Sequence, residues 1–125
     1  MRLGGELAER LQPGDLVFIR GALGAGKTTF VRGLLRRLGV VDDVRSPTYN
    51  LVHEYDTSPP IAHVDLYRLE TIQDVRNLGL QDYTQTHVLL IEWPEKLDDW
   101  LEPTFEIRIE FEGAGRRMML LERER

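Results

Sequence analysis

Gly21-Ala22-Leu23-Gly24-Ala25-Gly26-Lys27-Thr28-Thr29 satisfies the spacing G-x-x-x-x-G-K-[ST] of a phosphate-binding loop, with a third glycine inside it. The residue types follow from the chemistry. Glycines let the backbone curl so that successive N–H groups meet one anion, the lysine reaches the β- and γ-phosphates, and the first hydroxyl can ligate Mg²⁺. Gly21, Leu23, Gly24, Ala25, Gly26, Lys27, Thr28 and Thr29 are therefore the expected nucleotide cradle, with ATP and Mg²⁺ as its ligands.

A P-loop also needs a carboxylate at the end of a neighbouring strand to hold Mg²⁺ or its water. Two acids fit. Glu92 ends the apolar run Val88-Leu89-Leu90-Ile91, and Asp65 ends Ile61-Ala62-His63-Val64. Strands often end in acids, so neither match means much without the loop. Beside it, Glu92 is assigned to the metal and Asp65 to orienting or deprotonating an attacking water, and the two roles can be exchanged. Thr48, in Ser46-Pro47-Thr48, stands where P-loop proteins place a residue that senses γ-phosphate and Mg²⁺, and equally where a plain turn would stand. Lys27, Asp65 and Glu92 are thus the catalytic candidates, and Thr28, Thr48 and Glu92 the metal candidates.

Other residues are more ambiguous. Trp93 either stacks on a base or seats a partner, or else is an interfacial core residue. His63 reads as a hydrogen-bonded core or rim histidine. His53 and His87 carry no signal, Tyr67 and Tyr83 read as packing residues, and Arg45 and Arg68 are weak candidates for an arginine finger in cis.

Only a strand entering the loop and a helix leaving it aim the backbone donors at one anion. Leu16-Val17-Phe18-Ile19-Arg20 supplies the strand behind the turn signal Pro13-Gly14-Asp15. Phe30, Val31, Leu34, Leu35 and Leu38 recur at helical spacing, and Gly39 stands where a C′ glycine would end the helix.

Around this unit, residues 2–12 form an amphipathic helix and residues 49–55 alternate as a strand. The turn Asp56-Thr57-Ser58-Pro59-Pro60 then leads into the strand ending at Asp65, giving a hairpin. Thr71 caps a short helix ending near Leu78-Gly79, and residues 81–86 form a polar stretch. Residues 88–91 read as a strand covered on both faces, stopped by Pro94. Residues 96–101 form a turn of helix carrying Trp100. Phe105, Ile107, Ile109 and Phe111 alternate with charged residues, so this strand has one wet face. Gly113-Ala114-Gly115 returns it as a last strand over 117–122. The pattern predicts an α/β, P-loop NTPase-like three-layer sandwich, with a largely parallel central sheet and a C-terminal antiparallel hairpin.

At 125 residues the chain is expected to be a single P-loop ATPase domain, residues 1–125, too small to carry a separate substrate domain. A formal net charge of −5 disfavours direct nucleic-acid binding by the surface as a whole, although Arg32, Arg36 and Arg37 cluster locally. The absence of cysteine rules out thiol catalysis and fits a reducing compartment. No apolar run approaches the ~20 residues of a membrane span, and no signal-peptide core opens the chain, so a cytoplasmic location without membrane partners is expected.

Four blocks taken together resemble the bacterial TsaE (YjeE) family, the small P-loop ATPases of threonylcarbamoyladenosine modification of tRNA. They are Gly21 to Phe30 with Arg32-Gly33, then Ser46-Pro47-Thr48-Tyr49, His63-Val64-Asp65-Leu66-Tyr67-Arg68 and Ile91-Glu92-Trp93-Pro94. The last three are not general features of P-loop proteins. The resemblance implies a cytoplasmic ATPase that binds the transferase complex of TsaD and TsaB, with slow hydrolysis alone. It implies that Lys27, Thr28 and Thr29 bind nucleotide, that Thr48, Asp65 and Glu92 surround Mg²⁺ and the γ-phosphate, and that Trp93 matters for nucleotide binding. Two departures stand out. Ala22 replaces the acid the family usually carries after the first glycine, and the chain opens on a helix where members usually begin with a strand. Two other functions use the same loop, a small-molecule kinase and a nucleotide-gated assembly factor with negligible hydrolysis; no arginine-rich lid for a kinase is visible.

Overall fold

The fold was analysed in a computed structural model, which describes residues 2–21, 26–41, 52–97, 100–112 and 115–122. In chain order the elements are α1 (Arg2–Arg10), β1 (Leu16–Gly21), α2 (Lys27–Arg37), β2 (Val52–Tyr55), β3 (Ile61–Asp65), α3 (Ile72–Arg76), α4 (Leu80–Tyr83), β4 (Val88–Glu92), a 3-10 turn (Pro94–Leu97), β5 (Phe105–Glu112) and β6 (Gly115–Glu122).

The strands form one sheet in the order β2-β3-β4-β1-β5-β6. The inner four are parallel, while β2 and β6 close the edges antiparallel. The doubly covered character of β4 shows in its burial: Val88, Leu89, Leu90 and Ile91 are all fully buried. Strand alternation sends Val88 and Leu90 to the cluster under α1 and α2, with Leu7, Phe30, Val31, Leu34 and Leu35. Leu89 and Ile91 go to the opposite cluster, with Val75, Leu80 and Leu97. Helices therefore cover both faces, which is the expected three-layer sandwich. Each fully buried Leu or Phe of α2 stabilises the packing by about 2 kcal/mol.

α2 ends as its sequence indicates, with Leu38 capping and Gly39 at φ 100°, a conformation that favours glycine. The Thr71 side chain accepts from the Asp74 N–H at 3.1 Å and opens α3. Three expectations change. The polar stretch after Gly79 contains a helical turn, α4, anchored by buried Leu80. The helical turn after β4 begins at Pro94 rather than at Lys96, because proline is at ease at a helix start; residues 98 and 99 of the expected turn lie outside the described residues. Finally, Glu106, expected on a wet face, is 8% exposed and pairs with Arg20 Nε at 2.8 Å. Arg108 and Glu110 on the same face are exposed, as expected. The first part of the strand expected over 49–55 also falls outside the described residues, which resume at Val52.

Candidate active site

Register and alternation together build the site. Asp65 stands opposite Glu92 across the parallel β3–β4 pair, and Ile19 stands opposite Glu92 across β1–β4. Gly21, two residues beyond Ile19, thus leaves the sheet beside both carboxylates. In α/β sheets ligands bind at these carboxyl ends of the strands. Alternation sets the face as well. Glu92 shares a side with Val88 and Leu90, and Asp65 with Ile61 and His63, which is the side covered by α2. The end of β1 and the start of α2, with Lys27, therefore lie beside the two acids.

Gly26 immediately precedes α2 at φ 98° with no side-chain cap, so the first N–H groups of the helix are left for another acceptor. Lys27 is 6% exposed. Its Nζ donates to the Gly21 carbonyl at 2.7 Å and lies 3.7 Å from the centroid of the Trp93 ring. Burial pushes the Lys27 ammonium below its usual 10.5, while Glu92, then Asp65 and Glu95, oppose that shift. Thr28 and Thr29 are exposed at the start of α2.

Glu92 is 3% exposed, and its Oε2 accepts a 2.7 Å hydrogen bond from His63 Nε2, itself 2% exposed. Asp65 is partly exposed, and its Oδ1 accepts from the Tyr67 N–H at 3.0 Å. Trp93 has φ 59°, a left-handed conformation that costs a non-glycine residue about 1–2 kcal/mol. That turn places its indole over Lys27 and 4.9 Å from the Tyr67 ring. Tyr67 is 48% exposed, so it packs on the indole at the surface and not in the core.

The structure thus brings together Gly21, Gly26, Lys27, Thr28, Thr29, Asp65, Glu92 and Trp93. Leu23, Gly24, Ala25 and Thr48, with Arg45, lie outside the described residues. Arg68 is exposed. His87 pairs with Glu54 at 3.0 Å on the surface of the fold. What the sequence did not reveal is the bond from His63 to Glu92 and the closeness of Trp93 to Lys27.

No group of three or more His, Cys, Asp or Glu side chains suited to a metal occurs among the described residues. That donor set suits Mg²⁺ all the same. The ion keeps several waters and is held through one or two carboxylates plus substrate phosphates, not by a cage of protein ligands. Glu92 offers one such carboxylate at the end of β4, and Thr28 a hydroxyl at the start of α2.

A strand and a following helix on a mainly parallel sheet, covered on both sides, define an α/β protein with a P-loop NTPase-like fold. Comparison with known proteins narrows the class. The family model for threonylcarbamoyl adenosine biosynthesis protein TsaE matches residues 1–119. The tRNA threonylcarbamoyladenosine biosynthesis protein TsaE of Haemophilus influenzae is 38% identical over 129 residues, covering 97% of this chain and 82% of that protein. Its counterpart in Streptomyces coelicolor is 40% identical over 113 residues, covering 86% and 76%. The crystal structure of YdiB from Bacillus subtilus superposes with a TM-score of 0.76 at 31% identity, covering 95% of this chain and 74% of that one. The chain belongs to the TsaE family.

Proposed function

We propose that this chain is a Mg²⁺-dependent ATPase that supports threonylcarbamoyladenosine modification of tRNA from the cytoplasm, acting on the transferase complex of TsaD and TsaB. The observation that carries this reading is the convergence of Lys27, Asp65 and Glu92 at the mouth of the loop between β1 and α2. Family membership points the activity at the modification pathway. No helix among the described residues is long and apolar enough to cross a membrane, which is compatible with the cytoplasmic assignment.

In this mechanism the N–H groups at the start of α2 and the Lys27 ammonium bind the β- and γ-phosphates of ATP. To do so Lys27 gives up its bond to the Gly21 carbonyl, exchanging a neutral acceptor for a charged one. Thr28 and Glu92 would hold Mg²⁺, which neutralises charge developing on the phosphate oxygens. Glu92 takes this role over Asp65 because β4 adjoins β1, the strand that feeds the loop, whereas β3 lies one strand further out. Asp65 orients the attacking water and accepts its proton. Trp93, whose ring lies against Lys27, would stack on the nucleotide.

Binding of the chain to purified TsaD–TsaB, measured with and without ATP and Mg²⁺, tests the proposal. A several-fold gain in affinity with ATP supports it. Equal affinity in both conditions contradicts it, and a phosphorylated small molecule in place of free phosphate would replace it with a kinase.

A further inference from the structure

His63 has no part in the chemistry above, yet it is among the most deeply buried polar side chains of the fold. It lies on the α2 face of β3 and reaches across to the end of β4, where its Nε2 meets Glu92 Oε2 at 2.7 Å. A carboxylate oxygen accepts hydrogen bonds, so in this contact Nε2 is the donor. Nδ1 is buried with no hydrogen-bond partner among the described residues. The ring is therefore anchored through one polar contact, and that contact is Glu92.

The neighbouring cation interacts with this carboxylate through its charge, but its hydrogen bond goes elsewhere. Lys27 Nζ donates to the Gly21 carbonyl, while His63 takes Oε2 of Glu92. Glu92 Oε1 is then the carboxylate oxygen that His63 does not engage. A terminal carboxylate torsion is broad and easily turned, and a hydrogen bond from a buried, rotationally fixed ring removes that freedom. Groups that hydrogen-bond to metal-binding side chains set their orientation, and losing one commonly costs 10–100-fold in metal affinity.

We infer that His63 is a positioning residue: its Nε2–H holds the Glu92 carboxylate so that the free oxygen is presented to the divalent cation that accompanies the nucleotide. The inference rests on the assignment of Glu92 to the metal in the proposed function. It concerns cation binding, with no direct contact between His63 and the nucleotide.

The test is Mn²⁺ binding to the ADP-saturated protein, followed by electron paramagnetic resonance of the free ion, alongside calorimetry of ADP without metal. Wild type, His63→Leu, His63→Gln and His63→Asn are compared, with melting curves for each. His63→Leu should weaken Mn²⁺ binding about ten-fold while metal-free ADP affinity changes less than about two-fold. Glutamine places an N–H donor near the Nε2 position and should recover most of the loss, whereas the shorter asparagine should not. If the leucine variant fails to fold, the glutamine–asparagine comparison decides alone. Equal Mn²⁺ affinity in His63→Leu and wild type, parallel loss of Mn²⁺ and metal-free ADP, or no difference between glutamine and asparagine would overturn the inference. Failure of the wild type itself to bind Mn²⁺ with ADP would instead overturn the assignment of Glu92.

Discussion

Burying Lys27 against the Trp93 ring strips its ammonium of water, and neither the Gly21 carbonyl nor the nearby acids fully compensate, which is why its pKa is lowered. The sign of the consequence follows from proton linkage. Below the lowered folded value both folded and unfolded chains carry the proton, so the full cost of burial is present. Between that value and 10.5 the unfolded chain binds more protons, and stability rises with pH. Lys27→Met keeps the apolar stem and removes the charge. Without nucleotide it should melt no lower than wild type near neutral pH and should lack the alkaline rise, and it should also lose the stabilisation that Mg²⁺ and ADP give the wild type. Melting curves with and without ligand check this, and ligand stabilisation undiminished in the variant would contradict the role given to Lys27. Not all of this was legible in the sequence. The spacing of glycines, lysine and threonine marks the expected loop because each type has a distinct task at a fixed offset. The Trp93–Lys27 contact was hidden, since it depends on a backbone φ of 59° at a tryptophan, which no local propensity favours.

At the scale of elements, legibility followed local signals. β4 announced itself as an unbroken apolar run, and the end of α2 by Gly39. α4 left almost no trace, because Gly79 opens it at φ 68° without a side-chain cap and Leu80 is its one buried anchor. The buried state of Glu106 was equally hidden: alternation gives the face, but not that Arg20 from β1 crosses to pair with it. The turn before β1 gives an element-level prediction. Gly14 has φ 95°, its N–H donates to the His87 carbonyl at 2.9 Å, and a Cβ there would lie 3.1 Å from the Thr84 carbonyl oxygen. Gly39 has a similar φ of 100° but nothing among the described residues within 4 Å of a Cβ. Gly39→Ala should therefore cost only the left-handed strain, about 1 kcal/mol. Gly14→Ala should cost more, because backbone on both sides of the contact must shift. Chemical denaturation of the two variants separates them, and equal losses would show that the contact with the α4–β4 connection carries no weight.

At the scale of the whole molecule, the fold matters to function through strand order. The sequence showed that Asp65 and Glu92 each end a strand. It did not show that β3 adjoins β4 and β4 adjoins β1, since strand order is set by packing between segments far apart in the chain. That order is what makes neighbours of two separate strand-ending acids and the end of β1. The most direct measurement is release of phosphate from ATP by the wild type and by Asp65→Asn, with and without Mg²⁺ and with and without TsaD–TsaB. The wild type should turn over slowly alone, only with Mg²⁺, and faster with the complex, while Asp65→Asn should keep ATP binding and lose about 10²–10⁴-fold in rate. No phosphate release by the wild type under any of these conditions, or an Asp65→Asn rate equal to that of the wild type, would contradict a hydrolytic site built on Lys27, Asp65 and Glu92.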